Sequence, residues 1–393
     1  MAAKLPILIF VVLGGVTWAQ PADSSRLNIG VRGGCSHILD GHNIYANLLD
    51  SYNYGTFDAT VGWSSAPAHG GWYERAFNYP TFGFGFSYER MGALDFKGGS
   101  RLGDIANLYG WAEFHLIRTR RFRTMLLLEL GVSYSDETYD YYDNPRNHYI
   151  GSHVFAVMGT GLQVEWLFAP RWSLLAGGFL SHHSNGMIRT PNAGINVSAL
   201  AVGLRHYLAP PPYAEVSSGL LDEPEYDKGL HLSVFVAAGV HSCPIELDGI
   251  QASERPARLA PPRFRGVAGV ESLWRYTPVW GTGVGVEACY AANNYRQTDL
   301  LLTGGEDPQG YSPLRVGAYL KQELWYRRFS LHVAVGAYLF KRCGLTEDVG
   351  DAFEKIGFRY RFRRLDGLFY GMEMRAHQFD RSYTLECSLG YTF

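Results

Sequence analysis

Beyond its first twenty residues, the chain has no run of roughly 18 uninterrupted apolar residues, which excludes a transmembrane helix from that part. None of the cysteines forms a C-x-x-C pair, so the sequence contains no zinc or redox motif and no other sign of a metal ion or cofactor. Charged residues make up only 18% of the 393 residues, and the formal net charge is −2. Such a charge balance gives no reason to expect a nucleic acid as partner.

The first residues have the features of an export signal. Lys4 supplies a positive charge, residues 5–16 form a short apolar core, and Thr17 and Ala19 are small residues before a cleavage site. We therefore expect a signal peptide over residues 1–19 and export of the mature chain. Export permits disulfides, and Cys243 with Cys343 is one candidate pair because both fall in polar connections.

Glycine and aromatic residues are abundant, with Gly 46, Tyr 26, Phe 22 and Trp 9, which favours strands over soluble helices. Residues 383–393 alternate strictly between an apolar face and a polar or small face. Residues 368–376 and 356–363 repeat this alternation, with arginine or glutamate on the second face. Strands of about 9–11 residues that alternate in this way cross a bilayer in outer-membrane barrels, where the charged face points to a polar lumen.

The connections between these segments support the same architecture. Very short connections lie at residues 118–122, 168–172, 276–280, 326–329 and 364–367. Long polar connections lie between them, at residues 136–147, 186–194, 242–262, 293–312 and 343–354. Short turns on one side and long loops on the other are typical of an outer-membrane barrel, in which the short turns are periplasmic.

The alternating segments predict an all-β, antiparallel outer-membrane β-barrel with about 14–16 strands. Half of the segments lie in residues 20–208 and half in residues 229–393, with a Pro-rich linker at residues 209–228. Both a single barrel and two eight-stranded barrels fit this pattern. We prefer the single barrel, because the linker is short and carries no signal of a globular domain.

The stretch FLSHHSNGMIRTPNAGIN, residues 179–196, carries the candidate chemistry. It follows a short turn, so its histidines fall at the outer rim of the barrel. His182 and Ser184 share one strand face with an apolar stripe and are expected to face lipid, whereas His183 is expected in the lumen or at the rim. A serine and a histidine two positions apart on one face can form a nucleophile and its base. An isolated H-x-S motif is more often without a catalytic role, but the S-N-G and P-N-x-G-I spacing that follows favours catalysis.

This motif resembles the signature of the lipid A deacylase family (PagL-type acyloxyacyl hydrolases), outer-membrane barrels that remove an ester-linked acyl chain from lipid A. The matching residues are His182, Ser184, Asn185, Pro191, Asn192, Gly194 and Ile195. The resemblance is sharp over residues 179–196 and loose over residues 26–208. Residues 229–393 lie outside the eight-stranded pattern, as in a larger variant with a C-terminal extension.

The resemblance implies that His182 is the base and Ser184 the nucleophile. Asn185, Asn192 and the backbone of Gly186 are then the candidates for binding the oxyanion or shaping the site. It further implies an outer-membrane location, lipid A or lipopolysaccharide in the outer leaflet as the partner, no metal and no cofactor, and it allows a homodimer.

One position departs from the family pattern. Asn196 stands where the family has a glutamate. An asparagine can accept a hydrogen bond from the imidazole and hold its tautomer, but it cannot stabilise the imidazolium by charge. The competing hypothesis is therefore a non-catalytic barrel, porin-like or structural, that retains a relic motif. The charged faces of the last strands, with Glu386, Arg375 and His377 as a predicted lumen cluster, favour this alternative.

Overall fold

The structure, a computed structural model, describes residues 27–39, 49–65, 71–94, 96, 99–140, 142–189, 191–211, 226–242, 262–291, 312–342, 350–377 and 381–393. Strands dominate these residues, and every pair of neighbouring strands is antiparallel. None of the helices in the described part of the chain is long and apolar enough to cross a membrane. The chain divides into two compact units, each built on its own sheet.

The first unit is a closed barrel of eight strands. They are β1 (Leu27–Ile38), β2 (Asn53–Ser64), β3 (Thr81–Glu89), β4 (Ile105–Arg118), β5 (Phe122–Ser135), β6 (Val154–Ala169), β7 (Trp172–Ser184) and β8 (Ile195–Tyr207). The barrel closes where β8 pairs with β1, for example Leu204 opposite Val31. A short helix α1 (Trp72–Ala76) lies between β2 and β3, and a 3-10 turn (Met91–Ala93) follows β3.

The second unit is another closed barrel of eight strands. They are β9 (Gly229–His241), β10 (Arg263–Arg275), β11 (Trp280–Ala291), β12 (Leu314–Tyr326), β13 (Phe329–Phe340), β14 (Ala352–Arg361), β15 (Leu368–His377) and β16 (Arg381–Thr392). This barrel closes through β16 and β9, where Leu389 lies opposite Val236.

The predicted all-β antiparallel barrel architecture is confirmed, including the alternative of two eight-stranded barrels. The preferred single barrel of about 14–16 strands is wrong, because β8 pairs with β1 and β9 pairs with β16. Eight strands already enclose an interior that side chains can fill. Each half of the chain can therefore satisfy its own edge strands without the other half.

Both barrels have an apolar outer face and a polar interior, as the alternation predicts. On β11, Val284 and Val286 point outward and are 54% and 46% exposed, whereas Glu287 and Cys289, on the opposite face, are buried. Because successive side chains on a strand point to opposite faces, a period of two places the charged residues of this strand inside. The exposed valines, leucines and aromatics of the outer face match a hydrocarbon solvent.

Ion pairs and hydrogen bonds fill the lumen of the first barrel. Arg205 binds Glu113 with N–O distances of 2.5 and 2.9 Å, and Arg123 binds Glu165 at 3.2 Å. The Tyr207 hydroxyl donates to Glu165 at 2.6 Å. Removing one partner of such a buried pair costs about 3–5 kcal/mol, because it leaves an uncompensated charge. The lumen is thus a polar core rather than an open channel.

The predicted connections agree with the strand ends. The five predicted short turns are the connections β4–β5, β6–β7, β10–β11, β12–β13 and β14–β15, and the five predicted long connections leave from the opposite barrel ends. The helix α1 was not predicted, and it lies in the β2–β3 connection on the short-turn side. Arg375, Glu386 and His377 are buried in the second barrel, as predicted, and Arg375 contacts Glu386 at 3.4 Å.

Several predictions from the sequence fall outside the described residues. They include the signal peptide at residues 1–19, most of the linker at residues 209–228, and both Cys243 and Cys343. Among the described cysteines, Cys35, Cys289 and Cys387 are free thiols.

Independent closure predicts that residues 27–211 fold without the rest of the chain. Refolded into detergent micelles, this segment should give the heat-modifiable band of a closed barrel in SDS gels, since all eight of its strands find partners within it. A segment of similar length, residues 81–275, is the matched control, because its strands β3 to β10 come from both barrels. If the two segments behave alike, the separate closure of the first barrel is wrong.

Candidate active site

Strand β7 carries His182 and Ser184 to the long-loop end of the first barrel. Its even-numbered side chains point outward, since Leu174 and Leu180 are 44% and 54% exposed. His183, on the other face, is only 1% exposed and lies in the lumen. The predicted parity of this strand is therefore confirmed.

His183 belongs to a closed polar network inside the barrel. Its Nε2 lies 3.2 Å from Glu89 Oε1, and its Nδ1 lies 3.4 Å from the Ser133 hydroxyl. Tyr54 and Asn107 also donate to Glu89, at 2.7 and 2.8 Å. All five groups are buried, so this serine, histidine and glutamate form part of the packed lumen on the face opposite the candidate site.

His182 is held by the residue directly across the β7–β8 pair. His182 and Asn196 are cross-strand partners, and the distance between His182 Nδ1 and Asn196 Oδ1 is 2.7 Å. With the amide oxygen as acceptor, Nδ1 carries the proton and donates it, which leaves Nε2 with a lone pair that can accept a proton. Among the described residues, no carboxylate oxygen lies within 4.0 Å of the His182 ring, so the amide alone occupies the orienting position.

Gly194 allows the loop to pass against the imidazole of His182. Its φ of +74° lies in the left-handed region, where glycine carries no steric cost. A Cβ atom at this position would lie 2.9 Å from His182 Cε1 and 3.0 Å from the carbonyl oxygen of His183. A side chain here would push on the imidazole, so the glycine is required by both the backbone and the packing.

Asn192 links the strand to the loop that follows it. Its Nδ2 donates to Ser184 Oγ at 2.8 Å, and its Oδ1 accepts from the backbone N–H of Asn185 at 3.1 Å. One side chain therefore holds both the hydroxyl and the first amide after it. Because Ser184 Oγ is the acceptor in this bond, the hydroxyl proton is directed elsewhere.

Asn185 and Gly186 form the turn after Ser184. The Asn185 side chain donates from Nδ2 to the hydroxyl of Ser152 at 3.0 Å. Gly186 has a φ of +61°, and Met187 after it has a φ of +62°. Two successive left-handed residues turn the chain sharply away from β7, so the amides of this turn follow Ser184 immediately.

The loop before β8 is anchored on the preceding loop of the same barrel. Ala193 and Gly194 donate backbone hydrogen bonds to the carbonyls of His148 and Tyr149, at 3.0 and 3.2 Å. Tyr149 and Ile195 belong to one buried apolar cluster, 3% and 1% exposed. This cluster holds the end of the loop in place, and it thereby holds Asn196 at its position opposite His182.

The contribution of this neighbouring loop was not predicted from the sequence. Ser152, which binds Asn185, and Tyr149, which anchors Gly194, come from the connection between β5 and β6. The only available sequence signal was the apolar pair Tyr149 and Ile150 at the end of a polar loop. In the described part of the chain, no group of three or more His, Cys, Asp and Glu side chains could hold a metal ion.

Two family profiles match the chain. One, described as lipid A 3-O-deacylase (PagL), matches residues 59–205 and includes every candidate site residue. The other, described as acyloxyacyl hydrolase, C-terminal domain, matches residues 229–393, the second barrel. No curated protein matches the chain.

Solved structures of outer-membrane proteins resemble parts of the fold. The outer membrane enzyme PagL is 14% identical with a TM-score of 0.29, over 45% of this chain and 97% of that one. Neisserial surface protein A is 9% identical with a TM-score of 0.29, over 46% and 97%. An outer membrane channel from Pseudomonas putida F1 is 10% identical with a TM-score of 0.21, over 95% and 100%.

The Gly194 geometry predicts a specific loss of stability. Gly194→Ala should destabilise the protein by roughly 1–3 kcal/mol, because a Cβ is strained at this φ and meets the imidazole of His182. Gly178→Ala is the matched control, since its Cβ would make ordinary contacts, the shortest being 3.6 Å to Leu200. Urea unfolding in micelles measures both, and equal effects of the two substitutions would contradict the described loop.

Proposed function

The chain belongs to the lipid A 3-O-deacylase (PagL) family, and from that premise we propose that it hydrolyses an acyl ester of lipid A with Ser184 as nucleophile, His182 as base and Asn196 as the residue that orients His182. The protein is a β-barrel protein of the outer membrane, so its lipid-facing surface meets the proposed substrate directly. The observation that carries the proposal is the set of two hydrogen bonds on that surface, from His182 to Asn196 and from Asn192 to Ser184.

The first step is the attack of Ser184 on the ester carbonyl carbon. His182 Nε2 takes the hydroxyl proton while the serine oxygen forms the new C–O bond. Ser184 and His182 are two positions apart on the same face of β7, a spacing of roughly 6–7 Å along the strand. A histidine ring at that spacing can reach across to the hydroxyl of Ser184.

The negative charge then develops on the former carbonyl oxygen. The turn after Ser184 presents the backbone N–H of Gly186 and the side-chain amides of Asn185 and Asn192 as candidate donors. Donors aimed at such an oxyanion contribute about 2.7–4 kcal/mol each in serine hydrolases. Asn192 has a second role here, because its bond to Ser184 Oγ already fixes the rotamer of the nucleophile.

Collapse of the intermediate breaks the bond between the carbonyl carbon and the sugar oxygen. The protonated His182 returns its proton to that oxygen, so the lipid A product leaves as an alcohol and Ser184 holds the acyl group. A water molecule, deprotonated by His182, attacks the acyl-serine in a second round. The products are a fatty acid and lipid A with one acyl chain fewer.

The surroundings of the site suit an acyl chain. Below His182 on the outward face lie Leu180 and Leu200, which are 54% and 73% exposed. Met158 lies opposite His182 on the β6 side. An acyl chain of a lipid in the outer leaflet can lie along this apolar surface while its ester reaches the polar rim.

Asn196 is the feature that separates this site from the family pattern. It supplies the hydrogen bond that sets the His182 tautomer but no charge to stabilise the imidazolium. We therefore infer a slow enzyme. The same asparagine is the observation that favours the second candidate function, a non-catalytic outer-membrane barrel with a relic site.

A homodimer stays a prediction.

The mechanism predicts that Ser184→Ala and His182→Ala each reduce release of fatty acid from purified lipid A to the uncatalysed level. His183→Ala is the control, because His183 lies in the lumen, and this variant should lose stability but keep activity once folded. Fatty acid release is measured by mass spectrometry on barrels shown by heat modifiability to be folded. If His183→Ala is the inactive variant and His182→Ala is active, the assignment of the base is wrong.

The orienting role predicts opposite effects of two changes at Asn196. Asn196→Ala should lower turnover by about 10-fold or more, since the His182 tautomer is no longer held. Asn196→Glu should raise it by about 10-fold or more, because a carboxylate stabilises the imidazolium formed with the attack.

The exposed position of Asn196 leaves room for a glutamate. Ser198→Ala, on the same face of β8, is the control and should leave turnover unchanged. An active wild type whose turnover is unaffected by Asn196→Ala would show that another residue orients His182. Absence of fatty acid release from wild type and from Asn196→Glu alike would favour the non-catalytic barrel.

A further inference from the structure

A β-bulge at the long-loop end of the second barrel turns one tyrosine into the lumen. Arg375 pairs with Thr384 and Ala376 pairs with Ser382, so Tyr383 is the extra residue of β16 at this bulge. β-Bulges at the rim of a barrel change the direction in which a side chain points. Tyr383 is only 7% exposed, and its ring lies under the guanidinium groups of Arg265 and Arg315, 4.9 and 5.6 Å from their Cζ atoms.

Three arginines from three strands meet around this tyrosine and two glutamates, Glu386 and Glu287, and Arg375 Nη2 lies 2.5 Å from Glu287 Oε1. Arg265 Nε and Arg375 Nε lie 2.8 and 3.4 Å from the same oxygen of Glu386, Oε1. Arg315 Nη1 donates to the Tyr383 hydroxyl at 2.9 Å. All three arginine residues are at most 2% exposed. One carboxylate oxygen is therefore shared by two guanidinium groups.

The guanidinium groups retain hydrogen-bond donors without acceptors. Among the described residues, Arg265 Nη1, Arg265 Nη2 and Arg375 Nη1 are buried and have no acceptor. A buried N–H without an acceptor is costly, and a cationic one more so. The cluster is thus built to receive oxygen atoms that the described side chains do not supply.

The balance of buried charges in this lumen also favours the binding of an anion. The buried lysines and arginines that face it, in the described residues, are Arg265, Arg275, Arg315, Lys321, Lys355, Arg359 and Arg375. The buried glutamates that face it are Glu271, Glu287, Glu323, Glu373 and Glu386. Glu354 is also buried but faces outward with its partner Val335. Among these described residues the cations outnumber the carboxylates by seven to five, so an added anion would reduce the imbalance between them.

The deeper part of the lumen is already paired. Glu271 binds Lys321 and Arg359, and Lys355 lies between Glu287 and Glu373, at 2.9 and 3.2 Å. Three buried donors without an acceptor among the described residues, those on Arg265 and Arg375, lie near the long-loop end, where β10 and β12 begin and β15 ends, and Arg359 Nε and Trp325 Nε1 are two more that lie deeper. His241 and His377, whose rings lie 4.1 and 4.6 Å from that of Tyr383, complete this end of the lumen.

We propose that Arg265, Arg315 and Arg375 form a phosphate-binding site at the long-loop end of the second barrel. A guanidinium group can donate two parallel hydrogen bonds to two oxygens of one phosphate. Three guanidinium groups around one anion supply positive charge together with donors placed to fit its oxygens. The phosphate is either free in solution or part of a lipid headgroup, since the recognising chemistry is the same. The site is independent of the proposed hydrolysis and lies entirely on strands of the second barrel.

Binding is tested on the full chain in detergent with inorganic phosphate, using isothermal titration calorimetry at constant ionic strength and ³¹P line broadening. Wild type should bind about one phosphate per chain, and Arg265→Gln should weaken the affinity at least tenfold. Arg275→Gln is the matched control, because Arg275 is a buried lumen arginine at the opposite end of β10, and it should leave the affinity unchanged. If Arg265→Gln fails to fold, Tyr383→Phe replaces it, since the Tyr383 hydroxyl accepts from Arg315 Nη1 and loss of this contact should misplace the guanidinium and so also weaken binding.

Three further outcomes decide the proposal. Equal binding in wild type and in the folded Arg265→Gln or Tyr383→Phe variant overturns it. Equal heats from phosphate and from chloride, or loss of binding at moderate salt in every variant alike, identify an adventitious ion only and also overturn it. Where phosphate binds as proposed, competition by bisphosphorylated lipid A but not by its dephosphorylated form assigns the site to a lipid headgroup, and failure of both to compete assigns it to free phosphate.

Discussion

The two-residue period of the β7–β8 pair is the constraint on which the candidate site depends. A shift of one residue in β7 would move every side chain of that strand to the opposite face. His182 would then enter the lumen beside Glu89, and His183 would face lipid. The closed barrel prevents this shift, because Phe155, Ile195 and other apolar side chains pack inside the same end of the barrel that carries the site. The packing of the lumen thereby determines the chemistry of the outer surface.

That constraint explains why two adjacent histidines have different environments. His183 is buried between Glu89 and Ser133, in a network whose members have several partners each. His182 lies on the outward face, where Asn196 is its one polar partner among the described residues. A Ser–His–Glu set therefore exists in the lumen, whereas the set on the outward face of β7 ends in an amide. The outward face, and not the presence of an acid, identifies the site proposed here.

Much of this arrangement could be predicted from the sequence, but the rest could not. Alternation along residues 172–184 gives the faces of His182 and His183 because it is a local property of one strand. The choice between one barrel and two depends on whether β8 pairs with β1 or with β9. Both pairings are compatible with the same alternation of apolar and polar residues in the sequence. The bonds from Asn192 to Ser184 and from Asn185 to Ser152 depend on loop conformations with left-handed residues. The inward turn of Tyr383 depends on a bulge, which breaks the period that the sequence analysis relied on.

The most direct test of the account is hydrolysis of lipid A by the purified protein in water enriched in ¹⁸O, followed by mass spectrometry of both products. The account predicts that lipid A loses one acyl chain, that the released fatty acid carries the ¹⁸O label, and that the new sugar hydroxyl does not, because water attacks the acyl carbon held on Ser184. Lipid A of unchanged mass after prolonged incubation with folded protein would contradict the proposed function. Label in the sugar hydroxyl instead of the fatty acid would contradict the attack at the acyl carbon.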